Sequence, residues 1–170
     1  MDEREVKILT DRLIPVPREL EFRDGNEYVL KENCQVCVTI VDDFGVKEKC
    51  LEWFKLFWGV TPEVSVKHRL LKKADNPEAY IVDISEELIS IDASGLSGVM
   101  NALKTLRQLA EAQRGTARTE GYFLVQCAIN DVPAIPFRGI HLCVFPETPL
   151  WDIERQIRIA AYHKFNYAVI

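Results

Sequence analysis

The sequence predicts an α+β fold: a two-layer sandwich of a mostly antiparallel sheet with two helices on one face, followed by a strand–helix–strand unit. Three observations predict it. Short runs of alternating apolar and polar residues recur between Glu27 and Asp92, the period of half-buried strands. Two longer stretches, around Val46–Trp58 and Leu96–Ala110, carry apolar residues at helical spacing. After Pro136 the strands become near-continuously apolar around a single helix, which is the mark of parallel pairing.

The elements follow in order. Leu13–Pro17 is extended, because each proline disfavours helix in the residue before it. Asp24-Gly25-Asn26 signals a turn, and Glu27–Leu30 then reads as a short strand. Gln35–Val41 is a second, richer strand. From Asp42 the period lengthens to near 3.6: Val46, Cys50, Trp53, Phe54, Phe57 and Trp58 share a helical face, with Asp42 or Asp43 as N-cap and Gly59 as terminator. That aromatic stripe suits a helix packed on a sheet better than a sugar-stacking platform.

Glu63–Val66 is a further strand candidate. Ala79–Ile84 and Leu88–Asp92 alternate and are joined by Ser85-Glu86-Glu87, a hairpin pattern. Glu86 and Glu87 are read as turn residues, since nothing places a partner opposite them for acid/base work. Leu96, Val99, Met100, Leu103, Leu106 and Ala110 make the second helical stripe, with Ser94 as N-cap and Gly115 as terminator. Gly121–Ile129 reads as one strand, apolar on both faces.

Asp131-Val132-Pro133 and Pro136 then break the chain, so residues 1–133 form one domain and 134–170 the start of another. Phe137–Val144 is a strand. Leu150, Ile153, Ile157, Ala160 and Ala161 give a helix its apolar face, and Asn166–Ile170 is strand-like. One strand–helix–strand unit cannot bury both faces of its strands, so a larger parallel α/β domain is expected to continue past Ile170. The open edge at Asn166–Ile170 also suits a homodimer.

Composition excludes several function classes. At 170 residues with 48% hydrophobic and 28% charged side chains, the chain needs no metal or disulfide to hold a core. A net charge of −5 argues against a nucleic-acid partner, which calls for a basic face. The cluster Lys67-His68-Arg69 with Lys72-Lys73 lies beside Asp75 and Glu78 and reads as a solvated loop. No stretch reaches the ~20 apolar residues of a membrane span. The charged opening MDEREVKILTDR cannot form a signal-peptide core, so a natural start at Met1 implies the cytoplasm. The five cysteines, Cys34, Cys37, Cys50, Cys127 and Cys143, are read as reduced, buried thiols. Cys34 and Cys37 form a CxxC within a strand-like run, where positions three apart face opposite ways. No metal and no cofactor is predicted.

Several motifs then fall into a known order. Ile14-Pro15-Val16-Pro17 precedes the Asp24-Gly25 turn and Tyr28-Val29-Leu30. Glu78–Ile84 and Ile89–Ala93 form the hairpin. Gly98–Leu109 reads GVMNALKTLRQL, Asp131–Gly139 reads DVPAIPFRG, and Ala161–Asn166 reads AYHKFN. Together they resemble the accessory domain and barrel entry of family-20 glycoside hydrolases, the β-N-acetylhexosaminidases. The helix and the junction to Arg138-Gly139 are its most specific parts, and they favour this family over α-glucuronidases or family-84 hexosaminidases.

The resemblance implies a two-layer accessory domain beside a (β/α)8 barrel, which needs about 250 residues. Only the strand–helix–strand unit after Phe137 could belong to one here. It further implies retaining hydrolysis of terminal N-acetylhexosamines, with the substrate's acetamido group as nucleophile. The family's Asp-Glu pair at the fourth barrel strand lies beyond this chain, so no catalytic residue is expected in it, and Asp42-Asp43 and Glu86-Glu87 are not substitutes. The implied partner is an oligosaccharide or glycoconjugate. After Arg-Gly the family carries an Asp and a sugar-gripping Arg, where this sequence has Cys143 and Pro146. His141 and Glu147, near the C-terminal end of the first strand, are the candidate substrate-binding residues. The alternative is a free-standing carbohydrate- or protein-interaction module with the same fold.

Overall fold

The computed structural model describes residues 2–41, 45–69, 76–113 and 121–170. The chain divides into a compact unit ending at Val132 and a second spanning Pro133–Ile170.

The first unit centres on a six-stranded sheet. Its strands are β1 (Glu19–Phe22), β3 (Gln35–Ile40), β4 (Glu63–His68), β5 (Tyr80–Ile84), β6 (Leu88–Ala93) and β8 (Cys127–Asp131), in the order β1-β8-β5-β6-β3-β4. A separate antiparallel pair joins β2 (Tyr28–Leu30) to β7 (Tyr122–Leu124). The helices are α1 (Glu3–Arg12), α2 (Val46–Trp58) and α3 (Leu96–Gln113).

The expected mostly antiparallel sheet is in fact mixed. β5 pairs antiparallel with β6 and β8, and β1 with β8. β3, however, runs parallel to both β4 and β6. The cause is connectivity: α2 carries the chain back along the sheet between β3 and β4, and such a crossover returns a strand in the same direction.

Strand alternation supplies one side of the core. Val36, Val38 and Ile40 of β3, Val82 and Ile84 of β5, and Ile89 and Ile91 of β6 are buried. Helical spacing supplies the other: Val46, Cys50, Phe54 and Trp58 of α2, and Val99, Leu103, Leu106 and Leu109 of α3. Each such side chain contributes about 1.5–3 kcal/mol by leaving water. Trp53 and Phe57, expected on the same stripe, lie at its margin with ring centroids 4.6 Å apart. Arg107 of α3 stacks over Phe57 at 3.9 Å, a cation–π contact.

Several local expectations change. Helix α1 was not foreseen, because its capping box between Asp2 and Glu5 opens a mostly exposed helix with one buried residue, Leu9. Strand β1 was missed too. The N-cap of α2 is Gly45, with no side-chain bond, while Asp42 and Asp43 lie outside the described residues. Gly59 does terminate α2, at φ 69°. The first helical bond of α3 reaches the Gly95 carbonyl, from Val99, so Gly95 rather than Ser94 stands at its N-cap. Gly115 and Lys72-Lys73-Ala74-Asp75 fall outside the described residues. Lys67 and His68 end β4 rather than forming a loop, and Arg69 pairs with Asp92.

The single strand expected over Gly121–Ile129 is two. The chain pairs with β2 as far as Leu124, then enters the large sheet at Cys127. Changing sheets interrupts the alternation, which is why the run looked apolar on both faces.

Cys34, Cys37, Cys50 and Cys127 are buried free thiols, whereas Cys143 is exposed, contrary to the expectation that all five would be covered. It lies in a loop rather than on a packed strand. Burial pushes the Cys50 and Cys127 thiols up to about 12 from a usual 9.0.

A polar cluster ties the layers together. The Tyr80 hydroxyl donates to Asp131 Oδ2 at 2.9 Å and lies 2.7 Å from Thr105 Oγ1 of α3. Burial, and then the Asp131 charge, hold this hydroxyl protonated well above its usual range. Such a group is tolerated in a core because its hydrogen bonds are made there.

Helix α3 sits unusually close to β5. A Cβ on Gly98 would fall 2.4 Å from the Ala79 carbonyl oxygen, and the Gly98 amide instead donates to Pro77 O at 3.1 Å. Gly98→Ala should therefore force the helix off the sheet and cost about 1–3 kcal/mol, read as a lower urea midpoint with an unchanged slope. The thiols give a second expectation. At pH 8 a disulfide probe should label Cys143 quickly and the other four only on unfolding. Thiols whose folded pKa is raised keep their full contribution below pH about 9 and lose it as pH climbs toward 12, since only the unfolded chain ionises there. Stability should fall across that window, and less steeply in Cys127→Ala.

Candidate functional site

The second unit is built from β9 (Gly139–His141), α4 (Leu150–Tyr162) and β10 (Tyr167–Val169). The strands pair in parallel, Gly139 with Tyr167 and His141 with Val169. Strand, helix and strand thus appear where the apolar spacing placed them, though the strands are shorter than the apolar runs.

Two motifs that carried no assigned role hold this unit together. The Arg138 amide donates to Asn166 Oδ1 at 3.0 Å, and the Asn166 amide returns to Arg138 O at 3.0 Å. Asn166 Nδ2 reaches Pro136 O at 2.8 Å. The Arg138 guanidinium donates to Lys164 O at 2.9 Å and to Ile135 O at 2.6 Å. Arginine and asparagine suit this clasp because each satisfies backbone groups that a short parallel pair leaves open.

The helix end between them has its own logic. Phe165 N donates to Ala160 O and Lys164 N to Ala161 O, the paired bonds of a Schellman ending. Lys164 sits at φ 62°, the left-handed position that glycine usually takes. Its side chain is buried.

The candidate residues lie at the C-terminal end of β9. His141 is its last residue and is exposed. Leu142 follows, buried and donating to Val169 O at 2.9 Å. Cys143, Val144, Phe145 and Pro146 are exposed. A turn then closes through two reciprocal bonds: Phe145 N to Thr148 Oγ1 and Thr148 N to Phe145 O, each 2.9 Å. Glu147 stands inside that turn, exposed.

His141 and Glu147 thus share one strand end and one loop, but no hydrogen bond or ion pair joins them among the described residues. As a chemical set they offer an imidazole and a carboxyl group, suited to accepting from and donating to ligand hydroxyls. Beyond the turn, Asp152 in the first turn of α4 is held below its usual range chiefly by its hydrogen bond from Arg155, then by Gln156.

The unit also carries exposed apolar surface. A groove of about 220 Å³ is lined by Ile140, Ile157, Ala160, Ala161, Phe165 and Tyr167 among others. No residue of α4 is buried, and Leu150, Trp151, Ile159, Val169 and Ile170 are exposed. Among the described residues no group of three or more His, Cys, Asp or Glu could hold a metal ion, and no helix is long and apolar enough to cross a membrane. Glu86 and Glu87 are exposed at the β5–β6 turn, where Glu86 accepts from Asn26 Nδ2 at 2.9 Å.

Residues 10–132 match the family described as glycosyl hydrolase family 20, domain 2. The chain belongs to this family. It is similar to a β-hexosaminidase of Vibrio furnissii, 26% identical over 164 residues, which cover 91% of this chain and 25% of that protein. Among solved structures it is similar to the family-20 exo β-N-acetylglucosaminidase of Vibrio harveyi, with a TM-score of 0.70 at 28% identity over 94% of this chain and 25% of the other. The family-20 β-N-acetylhexosaminidase of Streptomyces coelicolor gives 0.69 at 25% identity, over 94% and 34%. This family-20 chain spans between 8% and 25% of the length of the curated relatives it matches.

The clasp yields a direct test. Asn166→Ala removes two of its bonds, each worth about 1 kcal/mol. Hydrogen exchange at the Leu142 and Tyr167 amides should accelerate roughly tenfold or more, while the β5–β6 hairpin keeps its protection.

Proposed function

We propose that this chain is the leading, non-catalytic part of a family-20 glycoside hydrolase resembling the β-N-acetylhexosaminidases. Residues 1–133 are the accessory domain, and 134–170 are the first strand, helix and second strand of a (β/α)8 barrel. The observation that carries the reading is the parallel β9–α4–β10 unit, whose helix buries no residue, set directly after a region matching family 20. Apolar area of that kind costs free energy in water, and a closed barrel is the arrangement that covers both faces of parallel strands.

In the full-length protein the reaction is hydrolysis of a terminal N-acetylhexosamine from an oligosaccharide or glycoconjugate. The substrate's acetamido oxygen attacks the anomeric carbon, so no protein nucleophile is needed. A carboxylic acid protonates the leaving oxygen, and a neighbouring carboxylate orients the acetamido group. Both belong to later barrel strands, so this chain alone is inactive. Its contribution to the site is His141 and Glu147, at the strand end where barrel enzymes bind substrate. With Cys143 and Pro146 at the family's Asp and Arg positions, these two replace a charged donor by an imidazole and a carboxylate.

Two measurements test the reading. The 170-residue chain should give no turnover of an aryl N-acetylglucosaminide above buffer, whereas the product of the gene extended through a complete barrel should turn it over. Activity that stays with the purified short chain through successive columns would overturn the proposal. In the extended protein, Glu147→Gln should raise KM about 3–30-fold with kcat little changed, the pattern of lost ground-state binding.

A further inference from the structure

We infer that the segment Asp2–Arg18 is a strap that opens as one cooperative piece before the β5–β6 hairpin does. Three apolar side chains and two buried polar side chains hold it. Leu9, Leu13 and Pro17 are buried, while most of α1 is exposed, including Ile8, and so are Ile14 and Val16. The helix packs against α3, and the extended residues after it are gripped twice.

The first grip is Gln108 of α3, itself buried. Its Oε1 accepts from the Ile14 amide at 3.2 Å and its Nε2 donates to the Ile14 carbonyl at 2.7 Å. One side-chain amide thereby satisfies both backbone groups of one residue, as a neighbouring strand would. The second grip is Asp131, at the end of β8, whose Oδ1 accepts from the Arg18 amide at 3.3 Å. Between the grips, Pro15 and Pro17 have no backbone N–H, so Val16 carries the one amide of that stretch.

A segment with few buried apolar contacts and exposed flanks belongs to the low-stability end of a fold. The grips decide how it opens. Gln108 and Asp131 belong to elements bonded together through Thr105, Tyr80 and Asp131, so they stay in place as the strap leaves. Opening then breaks the two grips together, because the stiff Ile14–Pro17 stretch transmits the loss of one to the other.

Hydrogen exchange on the whole chain tests this, with Gln108→Met to keep the side-chain length while removing the two bonds to Ile14. The expected result is about tenfold or faster exchange at Ile14, at Arg18 and along α1 alike, with the β5–β6 hairpin unchanged. Leu9→Ala, which touches neither grip, should accelerate Ile14 and Arg18 together as well. The inference is overturned if Gln108→Met changes Ile14 alone, or if the strap of the unaltered protein exchanges as slowly as the β5–β6 amides.

Discussion

The seating of α3 on the β5–β6 hairpin is the constraint on which the first unit depends. Without a side chain at Gly98 the helix backbone can approach the Ala79 carbonyl, and that approach brings Thr105 to the Tyr80 hydroxyl. Tyr80 in turn meets Asp131, so one close contact fixes α3, β5 and β8. Apolar burial supplies most of the stabilisation, but it is non-directional. The small residue and the satisfied polar chain are what select one depth and one rotation of the helix.

Periodicity made most of this architecture legible. The β5–β6 hairpin, the faces of α2 and α3, and the strand–helix–strand order after Pro136 all follow from spacing that reflects burial. What escaped has a common physical basis. Helix α1 buries one residue, so its stripe is nearly silent, and only the Asp2–Glu5 capping box could have announced it. β1 is an edge strand with a single protected side. The direction of β3 is a property of the crossover through α2, which spacing within a strand does not encode. The break at Gln126 disappears because buried residues on both sides of it blur two alternations into one apolar run.

The candidate site was legible differently. Its position, at the end of the first strand of a parallel pair, followed from order along the chain. The interlock of Arg138 with Asn166 and Lys164 did not, because its bonds run mainly to backbone oxygens and amides, which leave no periodic trace. The motifs stand apart as letters, and in the fold they meet where β9 and β10 begin, Arg138 and Asn166 exchanging hydrogen bonds there. Lys164 makes the point sharply. A non-glycine in a left-handed helix ending costs about 1 kcal/mol, and it is kept where its carbonyl serves the arginine.

On the proposed reading, function and fold separate along the chain. The first unit has a closed core, a hydrogen-bonded cluster of Tyr80, Thr105 and Asp131 and exposed charges, and nothing in it converges on a ligand among the described residues. The second has the reverse: a helix with no fully buried residue, an apolar groove, and an imidazole and a carboxylate at one strand end with no partner among the described residues. On that reading, such a surface is incomplete as a folded object and as a site for the same reason. Parallel strands need cover on both faces, and in a barrel the neighbouring strands that provide the cover also bring their own loops to the same end. On the proposed reading, the residues that would bury Ile157 and Ile140 and those that would close around Glu147 come from one continuous piece of chain. Completing the packing and completing the chemistry are then a single event.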